Sequence, residues 1–582
     1  PPFSVPHLPR LFSRLMTTLL VATTFWLQAA EPESGQTLFA QNCASCHLLT
    51  GDAIGPPLGG ITSLLSEAEL LRQITQPDQV IASGDPRANA LFRRYKVVMP
   101  SFAMLGETKI RAIIAYLAAE TEQQRLKPFA VDLDAANRPI TRLIPPVAKS
   151  NLVIELEDFV QIPTVDGHPG DKGIATLRTD PRSEGAIFVS DQMGLLYRVK
   201  NRRPEVYLDV REFLPQFVFA PGIGTGLGSF AFHPNFLTNG LFYTTHAEAF
   251  PGPPAINDGE FDEREFDYTV LAPTVTPPLQ WVLSEWHVDD VAAAQFSGTR
   301  REVLRLNTPT TAHGCQDMAF APVNDRTDPD YGMLYFGIGD GGSNNLKRPE
   351  LCHDPRSLLG TLFRIDPRGR NAPNGQYGIP PDNPFARATD PAVHREIWAY
   401  GFRNPHRFSW DMRYDKRLFL ADIGETNVEE LNLIEVGGDY GWSTIEGTTR
   451  IDIMTDAKVV FPATATELAP YRLPFAQYDH EDGKAISGGF VYLGPLEALY
   501  GKYVFGDIVT GRLFFINLDA TLSDSTVYEL NLIRDGRMTT VKTLSNLSRA
   551  HLRIGYDDQT HDLFVMTKAD GMIRRVSAAY TP

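Results

Sequence analysis

The hydrophobic rhythm of the chain changes three times. An apolar run from Leu15 to Leu27 follows Arg10 and Arg14 and closes on Ala29 and Ala30. That basic, apolar, small-residue order is the pattern of a secretory signal over residues 1–30. The run is shorter than the ~20 residues a spanning helix needs, which leaves an uncleaved anchor as the lesser reading. Helical spacing follows, with a short helix over Gly35–Asn42 and an amphipathic one from Glu107 to Ala119, so a small all-α domain is predicted over 32–123. Residues 124–150 are polar, carry Pro128, Pro139, Pro145 and Pro146, hold no sustained period, and read as a tether.

From 151 to 582 the rhythm is that of short strands. A turn, an apolar strand and often an aspartate recur at Gly185–Asp191, Gly240–Tyr243, Met333–Phe336, Arg417–Asp422, Gly501–Asp507 and Asp562–Met566. Six copies give roughly 70 residues per unit, enough for a four-stranded propeller blade with long loops. The prediction is an all-β six-bladed β-propeller; a pair of β-sandwiches gives no reason for one phrase to repeat.

Composition narrows the function. The 582 residues are 43% hydrophobic and 21% charged, an ordinary globular balance, and 10% aromatic, which suits a β-rich core. A formal net charge of −16 argues against nucleic acid as a partner. No segment after the leader is apolar enough to span a membrane, so the mature protein is expected to be periplasmic or secreted and not transmembrane. Four cysteines in so long a chain are too few for a disulfide scaffold.

Two of the four stand in Cys43-Ala44-Ser45-Cys46-His47. Thiols one helical turn apart can add to the two vinyl groups of one porphyrin, and the adjacent histidine reaches the iron, so C-x-x-C-H signals covalent haem c. A zinc site would need a second Cys pair, and a redox dithiol a thioredoxin-like βαβ pattern. Gly55-Pro56-Pro57-Leu58 and Met99-Pro100 complete a resemblance to class I cytochromes c, which implies His47 and Met99 as the axial ligands, with Met104 as a nearby competitor.

The β region resembles the soluble quinoprotein family of glucose, aldose-sugar and sorbosone dehydrogenases. The likeness rests on Gly226–Pro234, Gly339-Asp340-Gly341-Gly342, Leu358–Pro367, Ile397–Pro405, Glu430–Ile434, Gly438–Trp442 and Ser487–Tyr492, in the family's order. It implies pyrroloquinoline quinone (PQQ) and Ca²⁺ as cofactors, and a sugar or other polyhydroxylated alcohol as substrate. His313 falls where the family places its general base, and Asp340 where it places the acid that orients that base. Arg403 and Asn404 match cofactor contacts, Arg403 stabilising charge that develops on the quinone. Gly424 and Glu425 match the backbone carbonyls offered to calcium. Such a chain would pass electrons from its quinone to its own haem and on to an acceptor such as a soluble cytochrome or oxidase.

The departures lie in the cofactor clamps. Gly224 or Thr225 stands where a polar residue is usual, and Val509 where a lysine meets a PQQ carboxylate. Arg549 and Arg553 fall near the expected arginine pair, and Lys484 is a candidate substitute. The resemblance keeps the loops of Cys315 and Cys352 near one face, and it implies a disulfide between them in an oxidising compartment; two buried thiols are the alternative. The family also includes propellers that bind partners, so a non-enzymatic recognition propeller on a redox cytochrome is the second function the sequence allows.

Overall fold

The computed structural model describes residues 34–44, 46–51, 55–134, 142–163, 173–219, 224–258, 278–546, 549–568 and 570–582. The expected leader at 1–30 lies outside them.

The first domain is helical, with α1 (Gly35–Asn42), α2 (Ile61–Leu64), α3 (Glu67–Thr75), α4 (Pro77–Ala82), α5 (Pro86–Tyr95) and α6 (Gly106–Gln124). Local chemistry starts them. Ser34 Oγ accepts from Thr37 N, Ser66 and Glu69 form a capping box, and Asp85 caps α5 ahead of Pro86 at its first position. Helix α6 buries Ile110, Ile113, Ile114 and Leu117, one face at helical spacing, against Leu38 and Phe39 of α1. Each such side chain contributes roughly 1.5–3 kcal/mol when fully buried. The crossing is so close that a Cβ at Gly35 would lie 2.1 Å from the Ala112 carbonyl oxygen.

The second domain is all-β. Ile174–Thr179, Ile187–Asp191, Leu195–Lys200 and Arg203–Asp209 form one four-stranded sheet, and three further four-stranded sheets follow along the chain. The closing sheet has nine strands, in which Val153–Gln161 pairs antiparallel with Met572–Tyr580 and parallel with Tyr528–Arg534. The first strand of the domain is thereby tied to the last. Each of the six recurring phrases becomes the second strand of a consecutive run: Ile187–Asp191, Leu241–Ala249, Leu334–Ile338, Arg417–Asp422, Lys502–Asp507 and Leu563–Thr567. Ile187–Asp191, Leu334–Ile338 and Leu563–Thr567 are buried at every position, which explains why they read as unbroken apolar runs instead of alternating ones. Neighbouring sheets share their cores, as where Tyr243, Leu283, Phe336 and Phe363 pack in one cluster.

The tether is packed at both ends. A Cβ at Gly59 would meet the Leu126 side chain, and Phe129 lies 6.5 Å from the Tyr95 ring, so the segment after α6 folds back on the helical domain. At the far end Arg142 pairs with Asp479 and Asp482, and Val147 N donates to Asp482 at 2.9 Å. The two domains also touch directly. Arg94 Nη1 lies 3.1 Å from Asp456 Oδ2, Lys96 pairs with Glu481, Lys458 Nζ stands 5.8 Å from the Tyr95 ring centre and Lys484 Nζ 5.5 Å from that of Phe92.

Candidate functional site

The Gly339-Asp340 step lies just beyond the buried strand Leu334–Ile338 and joins two other segments through its backbone. Gly339 N donates to His313 O at 2.8 Å, and Asp340 N donates to Arg403 O at 2.8 Å. Glycine is required at 339, because a Cβ there would lie 2.4 Å from His313 Cβ and 2.9 Å from Arg403 O. The sequence therefore brings together three residues that lie far apart along the chain.

His313 Nδ1 is 2.6 Å from Asp340 Oδ1, and the His313 side chain is 19% exposed, the Asp340 side chain 1%. Asp340 also accepts from Gly342 N at 2.8 Å, Ser343 Oγ at 2.6 Å and Trp442 Nε1 at 2.9 Å. Burial pushes this carboxyl upward, but His313, Arg403 and Ser343 outweigh it and hold it below the usual carboxylate range. His313 has φ 54°, a left-handed conformation rare for a non-glycine residue and often kept at functional sites. With Nδ1 turned to Asp340, Nε2 is the nitrogen left for a substrate.

Other aspartates of the recurring phrase do different work. Asp191 accepts from Gly173 N and Met193 N, Asp422 from Arg403 N at 2.9 Å and Asn404 N at 2.6 Å, and Asp507 from Ala485 N at 2.7 Å. These stitch backbone; Asp340 holds a histidine.

Arg403 is held between the dyad and a carboxylate whose side chain the sequence did not single out. Its Nη2 and Nε lie 2.7 and 3.0 Å from Glu425 Oε2, its Nη1 donates to Ile423 O at 3.0 Å, and its guanidinium stands 5.7 Å from the Trp442 ring centre. Lys458 Nζ reaches Glu425 Oε1 at 3.1 Å. Burial raises the Glu425 carboxyl, but Arg403 and Lys458 hold it far below its ordinary value. Glu446 Oε1 accepts the backbone N–H groups of Glu425, Thr426, Asn427 and Val428 at 2.8–3.2 Å, fixing the turn that carries Gly424 and Glu425. Among the described residues nothing donates to the carbonyl oxygens of Gly424 and Glu425.

A second group is cationic and buried. Arg553 is pushed down to about 9 by burial and by the charges of Arg407 and Arg549, and His406 well down by burial, Arg553, Arg407 and Lys568. Asn404 Oδ1, His406 Nδ1, Arg549 Nε and Arg553 Nε are buried with no hydrogen-bond partner among the described residues. The two buried arginine nitrogens are donors beside further positive charge and fit an anion, whereas Asn404 Oδ1 is an acceptor. A tricarboxylate such as PQQ therefore suits Arg549 and Arg553, with Asn404 nearer Arg403. Lys484 is placed otherwise: its ammonium donates to His480 O and stands over Phe92 of the helical domain.

In the helical domain, His47 Nδ1 lies 2.8 Å from Pro56 O, which leaves Nε2 for a metal. A Cβ at Gly55 would lie 2.4 Å from His47 Cε1, so glycine is needed beside the ring. Cys43, Cys46 and His47 share one helical turn, with His47 N donating to Cys43 O at 2.9 Å, and this cradle fits haem c. Met99 is half-buried and Met104 is 77% exposed.

The expected Cys315–Cys352 disulfide is a correction: the two cysteines are not joined. Cys315 packs in the cluster of Trp281 and Phe336, with its Sγ 3.7 Å from Asp317 O, whereas Cys352 packs in a separate cluster with Leu351, Leu359 and Trp442. Each thiol fills its own apolar site.

Sequence reasoning missed the side chains of Ser343, Trp442, Glu425 and Lys458. Ser343 lies three residues beyond Asp340, but nothing in the sequence joins Lys458 to Arg403.

Residues 32–120 match the Cytochrome c family and residues 177–546 match the Glucose / Sorbosone dehydrogenase family. A helical c-type domain thus precedes an all-β domain carrying a histidine–carboxylate dyad. The chain belongs to the Glucose / Sorbosone dehydrogenase family. It is 27% identical over 385 residues to HIPL1 protein of Arabidopsis thaliana, covering 60% of this chain and 53% of that one. It therefore spans about half the length of that relative. It is 32% identical over 111 residues to aldose sugar dehydrogenase YliI of Escherichia coli, covering 19% and 26%. The PQQ-bound aldose sugar dehydrogenase of Streptomyces coelicolor is similar in structure, with TM-score 0.47 and 20% identity over 75% of this chain and 100% of that one.

Proposed function

We propose that this chain is an exported dehydrogenase that oxidises a CH–OH group of a sugar or polyol and delivers the electrons to its own cytochrome domain. The observation that carries this reading is the 2.6 Å His313–Asp340 pair, set by shared backbone hydrogen bonds beside Arg403. His313 Nε2 takes the hydroxyl proton while Asp340, itself pinned by Ser343 and Trp442, keeps the ring's tautomer and orientation. Arg403 presents positive charge where negative charge develops, and Glu425 and Lys458 hold its guanidinium in place.

PQQ, when bound, supplies an ortho-quinone that accepts the hydride. Arg403, Asn404, Arg549 and Arg553 are the residues that would hold it, and the carbonyls of Gly424 and Glu425 would hold Ca²⁺. Cys43 and Cys46 would attach haem c, His47 and Met99 would ligate its iron, and the group would supply a one-electron carrier. The four-strand grouping and the tie between Val153–Gln161 and Met572–Tyr580 support a closed propeller of six blades.

The test is haem reduction in protein loaded with haem, PQQ and Ca²⁺, screened over sugars and alcohols. A second reading, a partner-binding propeller, is favoured by one observation: Arg403 is already paired within the protein to Glu425. PQQ binding without haem reduction by any aldose or polyol would support it.

A further inference from the structure

The helical domain meets the β domain along the end of α5 and the residue after it. This edge is cationic. Arg94 meets Asp456, Lys96 meets Glu481, and both acidic partners lie on loops of the β domain. Between these pairs the aromatic rings of the edge meet cations of the β domain, Tyr95 under Lys458 and Phe92 under Lys484. Lys458 also reaches Glu425, which holds Arg403. A continuous line of contacts therefore runs from the dyad to α5: His313, Asp340, Trp442, Arg403, Glu425, Lys458, Tyr95. The tether adds a second attachment, because Arg142 pairs with Asp479 and Asp482 on the loop that carries Glu481.

We propose that the Asp456 and Glu481 loops are an electrostatic dock for the chain's own cytochrome domain, holding α5 against the Lys458–Glu425–Arg403 contacts that lead to the dyad. The proposal rests on the function proposed above. Each CH–OH oxidised yields two electrons and two protons, so the dock serves twice per turnover, with an external one-electron acceptor discharging the cytochrome domain between. The side chains of Arg94 and Asp456 are 33% and 31% exposed. Salt screens such pairs, so the dock loosens as ionic strength rises. The tether, fixed at both ends, keeps the released domain near.

Two measurements on the full haem-, PQQ- and Ca²⁺-loaded chain test it. In the first, a zero-length carbodiimide reagent is applied to dilute monomer. The expected result is an intrachain Lys96–Glu481 peptide pair by mass spectrometry at low salt, lost at high salt; absence of the pair at low salt overturns the dock. In the second, the rate of substrate-driven haem reduction is divided by the rate with a soluble dye that draws electrons from the β domain directly. Arg94→Asp and Asp456→Arg are each expected to lower this ratio at least about tenfold, and the charge-swapped double variant to restore most of it. Single reversals that leave the ratio unchanged, or a double variant no better than the singles, overturn the dock. Wild-type protein that reduces neither haem nor dye contradicts the proposed function, and the cross-link then decides the dock alone.

Discussion

His313 Nδ1 lies 2.6 Å from Asp340 Oδ1, beyond a buried strand whose counterparts in other sheets end on aspartates that bind backbone. Asp340, two residues beyond the end of its strand, holds an imidazole instead. Asp340→Asn keeps the side chain's shape, and its amide oxygen can still accept from Ser343 and Trp442 while its NH2 turns to His313 Nδ1 and forces the wrong tautomer, so substrate-driven turnover should fall by about 10² or more. Steady-state kinetics beside a circular dichroism melt separate this loss from any loss of fold.

Glu425 is buried between Arg403 and Lys458. Glu425→Ala leaves two buried cations without their counter-charge, a change that costs about 3–5 kcal/mol. Denaturant titration should show a loss of that size.

Cys315 is pushed up to about 12 by burial, and Cys352 well up from its ordinary value for the same reason. Both thiols should resist alkylation in the folded protein and react fully in denaturant without reductant. Unreduced peptide mapping checks this, and a Cys315–Cys352 bridged peptide would contradict the structure.

His233 gives an acid dependence. Its Nδ1 accepts from Asn235 N at 3.0 Å, and burial, aided by Arg368, lowers it to about 4. The folded protein keeps this ring neutral below the pH at which the unfolded chain takes up a proton. Stability should therefore fall as pH drops from about 6.5 to about 4, by about 1.4 kcal/mol per pH unit for this one group. His233→Gln should flatten that part of the pH–stability curve by about one proton.

The haem motif and the strand phrases were legible because each is local: C-x-x-C-H is one helical turn, and an unbroken apolar run marks a strand buried on both faces. His313, Asp340 and Arg403 were found through family resemblance, and the backbone hydrogen bonds of Gly339 and Asp340 supply the physical reason they converge. Lys458 was not legible, since Glu425 meets it only through the fold of the β domain and Tyr95 only through the contact between the two domains. Cys315 and Cys352 misled because loops near one face need not bring two thiols together; each is held in its own apolar cluster.

Met99→Ala should remove the weak red-end absorption band of methionine-ligated ferric haem while the haem stays bound through denaturation, held by Cys43 and Cys46. Survival of that band in the variant would move the ligand to another residue.

The most direct test of the whole account is stopped-flow haem reduction by sugars and polyols in protein loaded with haem, PQQ and Ca²⁺, comparing wild type with His313→Ala. The account predicts rapid reduction by at least one such substrate, a fall of about 10² or more in the variant, and equal reduction of both proteins by dithionite. Wild-type protein that binds PQQ but is reduced by no aldose or polyol, or a His313→Ala variant that matches it, would contradict the account.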